Sequence, residues 1–138
     1  MLTRLRVSYA ALLLSVAACG GKSAAERVAQ HDRVRVSWEQ TARFVGAEWS
    51  DRALPDAFAS RALERASEEL QSESNAVSKD SVPSHARATL LDSLSGARAL
   101  ADSLHSAVRA SDRNAVSRLV TSSPRPRADS LLRRAALR

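Results

Sequence analysis

The chain has 138 residues, a formal net charge of +6, four Gly, four Pro and a single Cys. This length allows one domain beside a targeting segment, the shortage of Gly and Pro argues against a fold rich in strands and tight turns, and a lone Cys excludes an intramolecular disulfide. Because 19 of the 21 basic residues are Arg, as in proteins of GC-rich genomes, the positive charge is not taken as a sign of nucleic-acid binding.

Residues 1–18 have the layout of a secretory signal peptide. Arg4 and Arg6 give a charged start, and the apolar stretch that follows covers residues 7–18. A helix that spans a bilayer needs about 20 apolar residues, so this stretch is too short to cross a membrane. Small residues close it, as at a signal cleavage site.

Val16-Ala17-Ala18-Cys19 resembles the lipobox of bacterial lipoproteins, in which an aliphatic residue and two small residues precede a cysteine. The resemblance covers residues 1–22. It implies cleavage between Ala18 and Cys19, a diacylglyceryl group on the Cys19 thiol and acylation of the new amino terminus. Two or more acyl chains hold a protein stably on a membrane. A plain signal peptide, or an uncleaved anchor in which Cys19 is incidental, is the alternative.

The lipoprotein resemblance also implies a location in the cell envelope. Gly20 rather than Asp follows the cysteine, a pattern that resembles export to the outer membrane. We therefore expect the periplasmic face of the outer membrane in a bacterium with two membranes, and otherwise the outer face of the cytoplasmic membrane.

The remaining chain divides into a tether, residues 19–22, and one helical domain, residues 23–138. From Cys19 onward there are 120 residues, of which only 23 are Leu, Val or Phe and none is Ile. Alanine must therefore supply much of the core, and the helices must pack closely.

The first helix is predicted from Ala24 to about Ser50. Ser23-Ala24-Ala25-Glu26 matches a capping box, in which the Ser side chain accepts a backbone N–H and the Glu reaches back. At 100° per residue, one face of this helix collects His31, Val34, Trp38, Ala42, Val45 and Trp49.

The second helix is predicted after Leu54-Pro55-Asp56, because Pro suits the first turn of a helix. Its apolar face consists of Ala59, Leu63, Ala66, Leu70 and Val77. The helical pattern weakens after Leu70, since residues 71–75 are polar all round.

The third helix has the clearest pattern. Its seam recurs at steps of four and three residues, and consists of Leu90, Leu94, Ala97, Ala101, Leu104 and Val108. Ser111-Asp112 offers a cap for a shorter helix, and residues 123–127 break it. A last amphipathic turn uses Leu131, Leu132 and Ala135. The predicted fold is all-α, a small antiparallel up-down bundle of three long helices plus one or two short C-terminal helices.

No motif of a catalytic, metal or cofactor site is present, so we predict a protein that is not an enzyme and holds neither metal nor cofactor. His31 has two interpretations. It is a ligand or pH-sensitive group, or, as we favour, a histidine on the rim of the bundle. Trp38 and Trp49 are three turns apart on one face. Either the two rings line a ligand pocket or, as we favour, they are large side chains of the core.

The basic C-terminal segment, residues 122–138, includes Arg125, Arg127, Arg133 and Arg134. We favour its docking on the second helix, where Glu64, Glu68, Glu69 and Glu73 cluster. The alternative is an anionic lipid or envelope polymer, to which an Arg near a charged surface adds about 1 kcal/mol.

The sequence thus predicts an envelope lipoprotein, anchored to the membrane through its N-terminal lipid, whose bundle is a structural or interaction module for an envelope protein. The alternative is a ligand-binding module that uses the Trp38/Trp49 face, with His31, or the Arg-rich segment. No nucleic acid is expected as a partner.

Overall fold

The computed structural model describes residues 21–122, and these residues form four α-helices and no strand. The helices are α1 (Ala24–Ser50), α2 (Asp56–Lys79), α3 (Ser84–Arg109) and α4 (Arg113–Thr121). The prediction of an all-α helical bundle is confirmed for this part of the chain. The amphipathic turn predicted around Leu131, Leu132 and Ala135 lies outside the described residues.

Side-chain caps fix the start of α1 and of α4. At α1 the predicted capping box is present: the Glu26 N–H donates to Ser23 Oγ at 3.1 Å, and the Ser23 N–H donates to Glu26 Oε2 at 2.7 Å. At α4 the carboxylate of Asp112 accepts the N–H of Ala115 at 2.9 Å. Each cap satisfies backbone donors that have no partner inside the helix.

Left-handed residues end α1 and α3. Arg52 has φ 64° and Ser111 has φ 55°. After α1, the N–H of Arg52 donates to Trp49 O at 3.0 Å and the N–H of Ala53 donates to Glu48 O at 2.8 Å. This is the hydrogen-bond pattern of a Schellman motif, and it turns the chain sharply away from the helix axis.

The core combines a few leucines with many alanines. The seam of α3 predicted from the sequence is buried along its whole length. Across the bundle, the buried side chains include Ala42, Ala59, Leu63, Ala66, Leu70, Leu94, Ala101 and Leu104. Alanine leaves little bulk between helix backbones, so neighbouring helices approach closely.

The second helix continues past the polar stretch that follows Leu70. It ends at Lys79, and Val77 near its end is fully buried. Side chains of the polar stretch bond to other elements: Glu73 pairs with His31 of α1, and Arg98 of α3 donates to Gln71. Tertiary contacts therefore hold as helix a segment whose sequence pattern is weak.

The last helix, α4, lies over α1 and α3. Near its start, Arg113 donates to Trp49 O at 2.6 Å; just past its end, Ser122 O accepts from Arg43 at 2.9 Å. Since α4 starts beside Trp49 near the end of α1 and finishes beside Arg43, which comes earlier in α1, the two helices run in opposite directions. Within residues 21–122, α4 contacts α1 and α3 but not α2.

Candidate functional site

A histidine lies between two carboxylates where α1 meets the end of α2. Nδ1 of His31 is 2.5 Å from Oε1 of Glu73, and Nε2 is 2.8 Å from Oδ2 of Asp80. The His31 side chain is 13% exposed. We call these three residues the His31 cluster.

The geometry of the cluster favours the doubly protonated imidazole. A neutral ring has one donor and one acceptor nitrogen, whereas both nitrogens of His31 face carboxylate oxygens that only accept. Burial lowers the pKa of His31, but the hydrogen bonds to Glu73 and Asp80 outweigh it, and the pKa is raised above the ordinary 6.5. The hydrogen bond from His31 lowers the pKa of Asp80 below its ordinary 3.8. When His31 is protonated, the cluster is a cation held between two carboxylates.

Two arginines bind the turn that begins at Asp80. Arg27 of α1 donates through Nη2 to Ser81 O at 2.7 Å, and its Nε lies 3.5 Å from Asp80 Oδ1. Arg87 of α3 donates through Nη2 to Asp80 O at 2.8 Å. Cations of α1 and α3 thus hold the turn between α2 and α3 from both sides.

This arrangement has a clear chemical consequence. With both ring nitrogens bonded to carboxylates, His31 presents no free nitrogen to a substrate or a metal ion. Within residues 21–122, no group of three or more His, Cys, Asp or Glu side chains could hold a metal ion. The cluster instead joins α1 to the end of α2 through charge.

The two tryptophans of α1 have different surroundings. Trp49 is 1% exposed, its Nε1–H donates to Asp56 Oδ1 at 2.7 Å, and the guanidinium of Arg113 lies 4.5 Å from its ring centroid. Trp38 is half-buried and packs against the core. Because the core and Arg113 enclose Trp49, its ring cannot line an open pocket.

The first turns of α1 and α3 leave a mainly apolar groove between them, with a volume of about 610 Å³. A smaller cavity of about 140 Å³ lies beside α4. The groove is lined on α1 by Ala25, Val28 and Asp32 and on α3 by Ala86, Thr89 and Leu90, among others. Neither of these two spaces is lined by His31, Trp38 or Trp49.

Several residues singled out in the sequence lie outside the described range. They are Ala18 and Cys19 at the predicted cleavage site, and Arg125, Arg127, Arg133 and Arg134 of the C-terminal segment. The partners of His31 and the groove are not predicted from the sequence. A signal for the groove existed: small residues recur near the start of both α1 and α3.

A comparison with protein families, curated proteins and solved structures finds no match for this chain. In residues 21–122, none of the helices combines the length and the apolar character that crossing a membrane requires.

Proposed function

We propose that this chain is an envelope lipoprotein whose bundle, an antiparallel up-down arrangement, is held at a membrane surface through lipid on Cys19. The bundle acts as a structural or interaction module rather than as an enzyme. The observation that carries this proposal is the short interval between the predicted lipid site and the first capped helix.

Only residues 20–22 separate Cys19 from Ser23, whose side chain caps α1. Four residue steps span at most about 14 Å. Acyl chains on Cys19 would therefore hold the start of α1 against the membrane surface. Two or more acyl chains make such attachment stable, because each buried methylene contributes about 0.8 kcal/mol.

The surface of the bundle supports a role in contacts rather than in chemistry. Both ring nitrogens of His31 are engaged by carboxylates. Two large apolar side chains, Phe44 and Phe58, are 63% and 55% exposed. Exposed aromatic rings are common where one protein contacts another, and an envelope protein is the partner we propose.

The anchor is tested by expressing the full chain and Cys19→Ala with a clickable fatty-acid label. We expect the label on the wild type only, and Cys19→Ala to accumulate as an unprocessed precursor. Ser23→Ala is the matched control, because it removes the α1 cap and leaves the lipobox intact, so it should keep both label and processing. A Cys19→Ala chain that still matured and stayed on the membrane would overturn the proposal.

A further inference from the structure

The groove between α1 and α3 lies on the same side of these two helices as α4. A Cβ at Gly46 of α1 would lie 3.1 Å from Leu104 of α3 and 3.1 Å from Val120 of α4, so α4 lies along the cleft between α1 and α3 at this level. Gly46, Arg43 and Ser50 mark the face of α1 that meets α4. Steps of three or four residues carry this same face down to Asp32 and Val28 in the groove.

Because of the direction of α4, the chain that follows it points toward this groove. Arg43 Nη1 donates to Val120 O at 3.0 Å and to Ser122 O at 2.9 Å, so the chain leaves α4 beside Arg43, about two turns before the end of α1. From Arg43 to Asp32, where the groove begins on α1, eleven residues of helix cover about 16 Å.

The length of the remaining chain matches the distance. Residues 123–127 include Pro124 and Pro126, and five extended residues span about 16 Å. Residues 128–138 as a helix are about 16 Å long, and the wall of the groove on α3, from Pro83 to Ser93, is about 15 Å long.

The pattern of residues 128–138 suits an apolar groove. At 100° per residue, Leu131, Leu132 and Ala135 fall on one side, while Leu137 falls on the opposite side with Arg133. Arg133 and Arg134 fall outside the apolar side, whereas Arg138, the last residue, falls at its edge beside Leu131.

The acidic face of α2 suits the segment less well. Glu68 and Glu69 already pair with Arg65, and Glu73 pairs with His31. Within the described residues α4 makes no contact with α2, so residues 123–138 would have to pass around α1 or α3 to reach it.

We infer that residues 123–138 continue along the cleft below α4 and occupy the groove between α1 and α3 as a further helix, with Leu131, Leu132 and Ala135 against its walls. The basic segment is then an integral part of the bundle, and Arg133 and Arg134 lie away from the walls of the groove.

Photo-crosslinking in the full membrane-bound chain identifies what occupies the groove. The probe p-benzoylphenylalanine replaces Thr89, which lines the groove, or in a matched control Ser72, which is exposed on α2. We expect the Thr89 probe to crosslink within the same chain to residues 128–138, several-fold more than the Ser72 probe. Crosslinks from the Thr89 probe to a second copy or to lipid, equal yields from the two probes, or no crosslink to the segment would overturn the inference.

Limited proteolysis tests the same docking without a probe. Trypsin cleaves after Arg133 and Arg134, and cleavage follows the population of the open form. The double variant Leu131→Asp, Leu132→Asp should be cut there about tenfold faster than the wild type. Leu137→Asp, on the opposite side of the predicted helix, should be cut at nearly the wild-type rate. Equal acceleration by both variants, or by neither, would contradict docking through this face.

Discussion

His31 of α1 and Glu73 of α2 form an ion pair across 42 residues of sequence, with Nδ1 2.5 Å from Oε1. Asp80 holds the other ring nitrogen, and Arg27 of α1 and Arg87 of α3 are the other charged groups at this point. Folding therefore favours the protonated imidazole, and the stability of the bundle depends on pH.

The sign of this dependence follows from the pKa directions. The pKa of His31 is raised in the folded state, so its stabilisation is complete below 6.5 and is lost as pH rises through the folded value. The pKa of Asp80 is lowered, so its stabilisation is present above 3.8 and is lost as pH falls through the folded value. The cluster therefore stabilises most between these two ordinary values.

His31→Gln should remove this pH dependence. In urea titrations, the wild type should exceed His31→Gln in unfolding free energy by more at about pH 5 than at about pH 9. His85→Gln is the control, because His85 is exposed on α3, and it should follow the wild type at both values. Parallel profiles of wild type and His31→Gln would show that His31 is not charged in the folded protein.

Trp49 is the largest fully buried side chain of the core, and its loss should be costly. Trp49→Ala should lower the free energy of unfolding by about 3–5 kcal/mol, because it leaves a cavity among Ala-rich helices. Trp49→Phe keeps most of the apolar volume and loses the indole N–H to Asp56, so the hydrogen-bond part of its cost should be about 1 kcal/mol.

Denaturation followed by circular dichroism measures both changes. The matched control is Phe44→Ala on the same helix, where 63% exposure predicts a change within about 0.5 kcal/mol. In a Trp38→Phe background, emission from Trp49 alone should be blue-shifted. A small loss for Trp49→Ala, or red-shifted emission, would mean that Trp49 is not enclosed.

Gly46 lies where α1, α3 and α4 meet, and its missing side chain permits their approach. A Cβ there would be 3.1 Å from Leu104 Cδ2, 3.1 Å from Val120 Cγ2 and 3.5 Å from Val116 Cγ1. Gly46→Val should therefore destabilise the bundle by about 1–3 kcal/mol, because overpacking forces α4 outward.

Gly46→Ala should cost much less, since the gain in helix propensity of about 1 kcal/mol offsets a tight methyl contact. Thermal unfolding of both variants, beside Gly96→Val at an exposed position of α3 where a Cβ would meet nothing within 4 Å, separates overpacking from the change in helix propensity between Gly and Val. If Gly46→Val melted like Gly96→Val, α4 would not be packed against α1 at this point.

The features that could be predicted from sequence are those set by neighbouring residues. The capping box of Ser23 and Glu26 acts within four residues, and the Asp112 cap acts within the same span. The helical period alone predicts the apolar seam of α3, because Leu94 and Leu104 must share a face in any helix. All three expectations are met in the structure.

The features that could not be predicted depend on partners far along the chain. His31 meets Glu73 and Asp80 only because α2 packs against α1. The contact of Arg113 with Trp49 spans 64 residues, and the residues next to either one in the sequence do not predict it. The part of α2 beyond Leu70 is an intermediate case. Val77 continues the apolar face and so weakly predicts a helix, and long-range polar contacts stabilise it.

Arg43 of α1 caps the C-terminus of α4. Its Nη1 donates to the carbonyls of Leu119, Val120 and Ser122 at 2.9–3.2 Å, and its Nη2 lies 3.2 Å from Glu39 Oε1. The last carbonyls of a helix have no partner inside it, and a cation there also interacts favourably with the helix dipole. Glu39 keeps the guanidinium in place.

Arg43→Met should therefore loosen α4 more than the rest of the bundle. Hydrogen bonds to charged groups contribute about 1.5–3 kcal/mol, and we expect a loss of that order in the stability of α4. Hydrogen exchange should show faster exchange of the α4 amides, while those of α2 and α3 keep their protection. Arg33→Met, at an exposed position of α1, should leave exchange unchanged throughout. Uniform acceleration in all four helices would instead make Arg43 a general stabiliser, and unchanged α4 exchange would mean that these three carbonyls do not depend on it.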